Sequence, residues 1–558
     1  MKEMSKIIKY FQDPNSKDIS RYMEMINSLD SFVSKHVDTD KSRLNGEIEC
    51  SYYEYLKGCK LSLESREPTE VFEEISELFK GTVRWNYPGT MININPPANL
   101  PAAAAGSYTM FNNPNFAQDM LTGNLIKSEL ETCKYLAELA GWDWENSHGV
   151  FTFGGKSTVM YAVKVGLQKC SQDISKNGIN GDVFVVSTSQ GHPCHAEVCD
   201  WLGIGKSNCL KLPVDDNGRM LIEEAEKIIS ERIKRGGKLA CILANGGTTL
   251  QMTVDPIKEV VEMRDRLAKK FSLNYLPHVH VDSVIGWTWL FYDNYDFKGN
   301  PLNFDIKVLS KIRAMFLRVS QINYADSFAA DFHKTGFCPY VASVFMSRDK
   351  AQIYKLGDVE PIELNELEYG NYSPFQYTME LSRAGTGPVS ALTTLKCFGY
   401  DGFQKVIGGL MTVGEHIKAS LKKNSEFEVI NDKTEGFVTL FIIKQPGDNT
   451  KYSELSDMDS ENAARIAEYI YHFFLYLIDK QTKGECSFSL EYSEGYDVTK
   501  SGVKIGVLKA FPMSPLANKE NISSIIKELF ELKNEYDKCR DDFSPYEVLH
   551  KPRAFVCR

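Results

Sequence analysis

Five short stretches hold the residue types best suited to covalent chemistry. In ADSFAADFHKTGFCPY, residues 325–340, Lys334 stands between apolar segments, surroundings that can lower a lysine's pKa and free a neutral amine for an imine. The adjoining His333 offers a phosphate contact or a proton-transfer group. In HVHVDSVIGW, residues 278–287, Asp282 follows an apolar β-branched run. A carboxylate at such a strand end can hold a cation or a protonated ring nitrogen, or cap a turn. FTFGGKST, residues 151–158, joins an apolar stretch to a helical pattern. Its glycines permit a tight turn, and the amides of a helix start can take an anion such as phosphate; the spacing is neither that of the Walker loop nor GxGxxG. GHPCHAEVCDWLGIG, residues 191–205, gathers His192, Cys194, His195 and Cys199. These types could ligate zinc, and an imidazole can equally move protons or stack on an aromatic cofactor; a convincing second ligand pair is lacking, so no metal is expected. LANGGTTLQMTVDPI, residues 243–257, puts small and hydroxyl residues, Thr248 among them, behind an apolar run, which suits a crevice lining or a plain loop.

Positioning these groups requires a scaffold whose strands end together. Between about residues 106 and 385, amphipathic helices such as Leu125 to Ala140 and Ile257 to Phe271 alternate with short apolar runs. Those runs are VFVVS from Val183, LACILA from Leu239, HVHVD from His278 and VASVFMS from Val341. This alternation predicts an α/β domain with a mainly parallel central sheet. Residues 1–105 read as a helix-rich segment: in PTEVFEEISELFKG, Val71, Ile75, Leu78 and Phe79 share one helical face, Pro68 begins the helix and Gly81 caps it. The passage TMININPPANLPAAAAG is expected to be a connector or pocket wall rather than one regular element, with a boundary near Gly106. Residues 386–558 read as a smaller α+β domain: a helix around Asn462 to Ile478, strands from Phe437 and Lys504, and a last helix from about Asn521.

A chain of 558 residues exceeds what one hydrophobic core usually carries, and 43% hydrophobic with 25% charged residues excludes a largely disordered protein. With 64 basic against 74 acidic residues, net −10, no general positive field invites nucleic acid or anionic lipid. Thirteen cysteines, odd in number and irregularly spaced, suit reduced thiols and a cytoplasmic location. No secretory signal is read in MKEMSKIIKYFQDPNSKD, and the apolar stretch Tyr469 to Ile478 falls short of the roughly 18 residues of a membrane span; no membrane segment is expected.

Taken in order, the five motifs closely resemble the group II pyridoxal-phosphate-dependent amino-acid decarboxylases, relatives of the aromatic amino-acid, tyrosine and glutamate decarboxylases. ADSFAADFHKTG carries the strongest likeness, and DFHKTGFCPY is similar to the bacterial tyrosine-decarboxylase branch. The resemblance covers roughly residues 88–390. It implies the fold type I architecture of pyridoxal-phosphate enzymes, a homodimer with an N-terminal dimerising segment, pyridoxal 5′-phosphate as cofactor, and decarboxylation of an L-amino acid to its amine. By the same resemblance Lys334 forms the internal aldimine, His333 lies near the phosphate, Asp282 pairs with the pyridinium nitrogen and His195 stacks on the ring. Gly155, Ser157 and Thr158 approach the phosphate, and Thr248 stands close to the cofactor. A mobile loop tyrosine protonates the substrate carbon in such enzymes; here the interval from about Leu356 to Phe375 supplies Tyr369 and Tyr372.

Several residues depart from the family pattern. The usual NPHK becomes Asp331, Phe332, His333, Lys334; Ser283 replaces an alanine; Lys156 adds a charge to the glycine turn; and ININPPAN, residues 92–99, lacks the aromatic pattern of the relatives' pocket wall. Other readings therefore stay open: a carbon-carbon lyase or aminotransferase on the same fold, or a catalytically inactive cofactor-binding homologue. An aminotransferase needs an arginine clamp, for which Arg383 is the nearest choice, although a structural role is expected for it.

Overall fold

The computed structural model describes residues 7–15, 18–45, 52–171 and 173–544. Its central sheet has seven strands: β1 (His148–Thr152), β2 (Val183–Thr188), β3 (Cys209–Leu212), β4 (Lys238–Asn245), β5 (His278–Asp282), β6 (Ser327–Asp331) and β7 (Ser343–Ser347). The order is β1-β7-β6-β5-β4-β2-β3. From β6 across to β3 all neighbours are parallel, whereas β7 runs antiparallel to both β6 and β1. The mainly parallel α/β sheet expected from the sequence is thus present, with one reversal. Residues 332–342 are too short a link for the dozen or more residues of a crossover, so β7 returns beside β6 in the opposite sense.

Every residue of β2, β5, β6 and β7 is buried, as continuous apolar strands covered on both faces must be. Helix Gly155–Cys170 packs Val159, Val163 and Leu167 onto Val183, Val185 and Leu243, with Val198 of helix Cys194–Trp201 beside them. The main core includes Leu136, Ile229, Val260 and Ile312, from helices Lys127–Leu139, Ile222–Lys234, Ile257–Lys270 and Ile306–Val319. Register sets the functional end of the sheet: Asn245 pairs with Asp282, Asp331 with Ser343, and Ser343 with Thr152. The carboxyl ends of β1, β4, β5 and β6 therefore finish along one rim, where open α/β sheets bind ligands.

Helix Thr386–Leu421, bent at Gly399, leads from this domain into a second, antiparallel sheet. Its strands are β8 (Phe427–Val429), β9 (Thr439–Ile443), β10 (Glu491–Val498) and β11 (Lys504–Ala510), in the order β10-β11-β9-β8. Helices Ser460–Thr482 and Lys519–Cys539 pack against it. Strands β8 and β10 add to the two foreseen from sequence; a register shift between Ser493 and Asp497 breaks the alternation of β10.

The passage expected to be an irregular connector divides in two. Residues 89–95 tie to the C-terminal domain, Met91 N donating to Ser489 O at 3.0 Å and Phe511 N to Met91 O at 2.9 Å. Residues from Leu100 to Asn112 form a helix, so the boundary placed near Gly106 falls inside a regular element. Its causes are local: Asn99 Oδ1 accepts from Ala102 N, Pro101 occupies the first turn, and the alanine run favours helix. Helix Pro68–Glu77 begins at its proline as expected but ends at Leu78, short of the cap expected at Gly81, whose amide instead donates to Leu44 O. It packs against helix Ile19–Val33, and Met23, Ile26 and Ile75, with Leu78 and Phe79 just beyond the helix, stay exposed. Among the described residues no helix is long and apolar enough to cross a membrane.

Candidate active site

At the strand-end rim lies a cleft whose lining includes Gly155, His192, Asn245, Thr248, Asp282, Asp331, His333, Lys334 and Tyr340. Sequence motifs separated by up to 185 positions thus meet because parallel strands end together. Lys334 sits in the turn after β6, its amide donating to Asp331 O at 3.2 Å. Its Nζ lies 2.8 Å from Asp331 Oδ2. Burial alone would lower the ammonium's pKa, but the Asp331 carboxylate, with Asp282 beyond it, carries it above the usual lysine value. Asp331 is itself fully buried, and Ser343 Oγ donates to its Oδ1 at 2.6 Å.

Asp282 ends β5, and its two oxygens have different fates. Oδ2 lies 3.0 Å from His195 Nε2, while Oδ1 is buried without a hydrogen-bond partner among the described residues. A carboxylate only accepts, so Nε2 of His195 carries a hydrogen, and Ser187 Oγ holds Nδ1 at 2.6 Å. Although burial opposes ionisation, His195 and then Lys334 keep the Asp282 carboxyl well below the ordinary carboxylate range. A buried acceptor left open beside a cleft is an unmet demand for a donor.

His195 was expected against the face of a ring; the structure places it elsewhere. Pro193 precedes helix Cys194–Trp201, whose first turn aims His195 inward at Ser187 and Asp282, fully buried behind the carboxylate. His192, in the loop before the helix, lines the cleft instead. Its Nδ1 accepts from Cys194 N at 3.1 Å, and burial, reinforced by Lys334, lowers its pKa to about 4, so the ring is neutral at pH 7. Both histidines were visible in the sequence; the helix start decides which one faces the opening. The zinc alternative loses its geometry, since both nitrogens of His195 are engaged and Cys199 is buried in an apolar cluster.

The glycine turn is a backbone device. Gly154, at φ +136°, has a conformation suited to glycine, and helix Gly155–Cys170 starts directly behind it. The amides of Ser157 and Thr158 return to Gly154 O, as does the Ser157 hydroxyl, and Thr158 Oγ1 donates to Gly155 O at 2.6 Å. Ser157 and Thr158, expected to approach the phosphate, therefore have both amide and hydroxyl turned into the helix; the amides of Gly155 and Lys156, unused among the described hydrogen bonds, remain for an anion. Lys156 pairs with Glu197. Thr248 lines the cleft with its Oγ1 accepting from Thr253 N at 3.0 Å.

His333 accepts from Ala342 N through Nδ1 at 3.2 Å and lies against Tyr340, ring centroids 4.1 Å apart. Burial lowers the His333 pKa and pushes the Tyr340 phenol up to about 12. Tyr340, not singled out in the sequence, is the one tyrosine of the cleft lining among the described residues, and its hydroxyl donates to Asn95 Oδ1. Neither Tyr369 nor Tyr372 lines this cleft. Tyr369 is 72% exposed, whereas Tyr372 is buried among Phe116 and Ile126 with its hydroxyl donating to Glu129 Oε1 at 3.4 Å. Arg383 has the structural place expected of it: its guanidinium pairs with both Glu129 oxygens and donates to Phe116 O and Phe151 O.

Residues 62–444 match the family described as the pyridoxal-dependent decarboxylase conserved domain. The acidic amino acid decarboxylase GADL1 of Bos taurus is 24% identical over 301 residues, 53% of this chain and 52% of that protein. The aromatic-L-amino-acid decarboxylase of Bacillus atrophaeus is 26% identical over 338 residues, 60% of this chain and 61% of that protein. The chain spans about half the length of the curated relatives it matches. Among solved structures, mouse CSAD superposes with a TM-score of 0.74 at 16% identity, covering 92% of this chain and 99% of that one. Oryza sativa TDC with PLP and tryptamine gives 0.74 at 14% identity, covering 94% and 99%. At such identities the likeness shows the shared fold, the fold type I architecture expected from the motifs.

Proposed function

The chain belongs to the pyridoxal-dependent decarboxylase family, and from that premise we propose that it is a carboxy-lyase removing the α-carboxyl group of an L-amino acid as carbon dioxide, with pyridoxal 5′-phosphate as cofactor. The observation that carries this reading is the open Oδ1 of Asp282 in the same cleft as Lys334 Nζ. One is an acceptor awaiting a ring N–H, the other an amine able to bond an aldehyde carbon. When bound, the cofactor supplies the electron sink for the pair left by departing carbon dioxide.

The chain's own residues account for the rest. Asp282 holds the proton on the ring nitrogen; His195 keeps that carboxylate ionised and oriented, and Ser187 fixes His195. His192, neutral and in the lining, offers an aromatic face to the ring, the role foreseen for His195. The free amides of Gly155 and Lys156, with His333 nearby, receive the phosphate, and Thr248 closes the side of the cleft. Of the loop tyrosines, the exposed Tyr369 is available to carry a proton to the substrate carbon, while Tyr372 is committed to Glu129.

Arg383, spent on Glu129 and two carbonyls, offers no clamp for a retained carboxylate, which disfavours the aminotransferase reading. The exposed apolar residues of the N-terminal helices, Met23, Ile26 and Ile75, with Leu78 and Phe79 directly behind them, support burial against a second copy, hence a homodimer. The free, buried thiols of Cys199, Cys209 and Cys241 support a reducing, cytoplasmic setting.

The test is a panel of L-amino acids scored for carbon dioxide and amine against keto acid and aldehyde, in the wild type and in Lys334→Ala. Amine release lost in Lys334→Ala is expected. No amine from any member, or undiminished release in the variant, sinks the reading.

A further inference from the structure

The proposed chemistry leaves Asp331 without a task, although it touches the amine on which everything depends. Its carboxylate is fully buried, with Oδ2 2.8 Å from Lys334 Nζ and 3.5 Å from His333 Nε2. Ser343 Oγ, from the neighbouring strand, fixes Oδ1 at 2.6 Å. The same Oδ2 comes within 3.0 Å of where a Cβ on Gly155 would lie, at the helix start that receives an anion. One carboxylate therefore both neutralises the lysine and stands beside the helix start that receives an anion.

We propose that Asp331 is a gate on cofactor loading: before the cofactor arrives it holds the Lys334 ammonium and sets a negative charge beside the place of the incoming phosphate, so that capture of the cofactor must displace this internal ion pair. The inference rests on the reading of Lys334 given above. Loading forms a C=N bond between Nζ and the aldehyde carbon as the C=O bond breaks. The ammonium first gives one proton to solvent; the carbonyl oxygen then leaves as water with the two remaining amine hydrogens. Retaining the ammonium therefore delays the first step, and a carboxylate beside the cradle repels the phosphate.

The charged and titratable groups facing Nζ come from several elements: Asp331 and His333 beside it, Asp282 at the end of β5, His192 from the loop before its helix, Cys194 at that helix's start, Lys156 from the glycine turn, and Tyr340. Removing the Asp331 charge leaves Asp282 as the nearby carboxylate. Since Asp331 raises the pKa of Lys334, its loss moves the onset of free amine to lower pH.

The experiment uses the full chain stripped of cofactor and follows the rate of covalent capture of pyridoxal 5′-phosphate, trapped by borohydride, against pH. Asp331→Asn and Asp331→Ala are compared with wild type. Both variants are expected to shift the rate profile to lower pH, making capture at pH 7 about tenfold faster. Both should also bind inorganic phosphate more tightly than wild type. Pyridoxal without its phosphate separates the two contributions, since it should retain the pH shift and lose the cradle effect. An unmoved profile, or slower capture in folded variants, overturns the gate while leaving the role of Lys334 intact. Capture that persists in Lys334→Ala, or is absent from wild type, overturns that role and the gate with it.

Discussion

Two buried ion pairs in this chain differ in how completely they are satisfied. Arg383 and Glu129 are locked on all sides: the guanidinium uses both carboxylate oxygens and two carbonyls, while Glu129 also accepts from Phe151 N at 3.0 Å and from the Tyr372 hydroxyl. The pair fastens helix Lys127–Leu139, strand β1 and the Tyr372 loop together. Asp331 is as fully enclosed as Glu129, but Lys334 keeps 18% of its side chain open where Arg383 keeps 4%, the ammonium has one close anion, and the neighbouring Asp282 keeps an oxygen unmatched. A network with every group paired makes structure rigid, and one with vacant positions is arranged for something that arrives later.

That contrast can be broken most forcefully at Arg383. Arg383→Met would strand a buried Glu129 charge and is expected to cost about 3–5 kcal/mol of stability, read from the urea midpoint. A loss no larger than that of Asp331→Asn would erase the distinction between the pairs. Next in size, Asp282→Asn should lower the decarboxylation rate about 100-fold while bound cofactor, read by its absorbance, stays near wild type. Equal turnover in that variant would remove the carboxylate from the chemistry. The smallest effect separates two tyrosines three positions apart. Tyr372→Phe should cost about 1 kcal/mol of stability with turnover unchanged, whereas Tyr369→Phe should slow turnover with stability unchanged, in paired melting and rate measurements.

The sequence revealed the site best where it depends on strand ends. Asp282 and Thr248 follow apolar runs, and Lys334 follows another, so topology alone brings them together. What it concealed depends on local direction or distant partners. His192 and His195 are three residues apart, and only the start of the helix after Pro193 turns one outward and the other toward Ser187. The Tyr372 region reads as a polar loop because the residues burying it, Glu129 and Phe116, lie more than 240 positions away. The helix from Leu100 was signalled by Asn99 and Pro101, but the asparagines and prolines before it dominated the reading. Strand β10 escaped notice because its register shift interrupts the period of two.

The segment stitched across to the C-terminal sheet bears on how such a protein can diverge. Asn95 braces Tyr340 in the cleft, while Asn93 Oδ1 accepts from Lys509 Nζ at 3.3 Å, itself paired with Glu491 in a fully buried contact. The brace for one wall of the cleft is thus hung from β10 and β11, far in sequence from Lys334 and Asp282. Variation in that wall can accumulate without disturbing the strand-end chemistry. A chimera that exchanged the C-terminal domain with a relative's would have to carry residues 89–95 along with it to keep the contacts of Met91 with Ser489 and Phe511 and of Asn93 with Lys509.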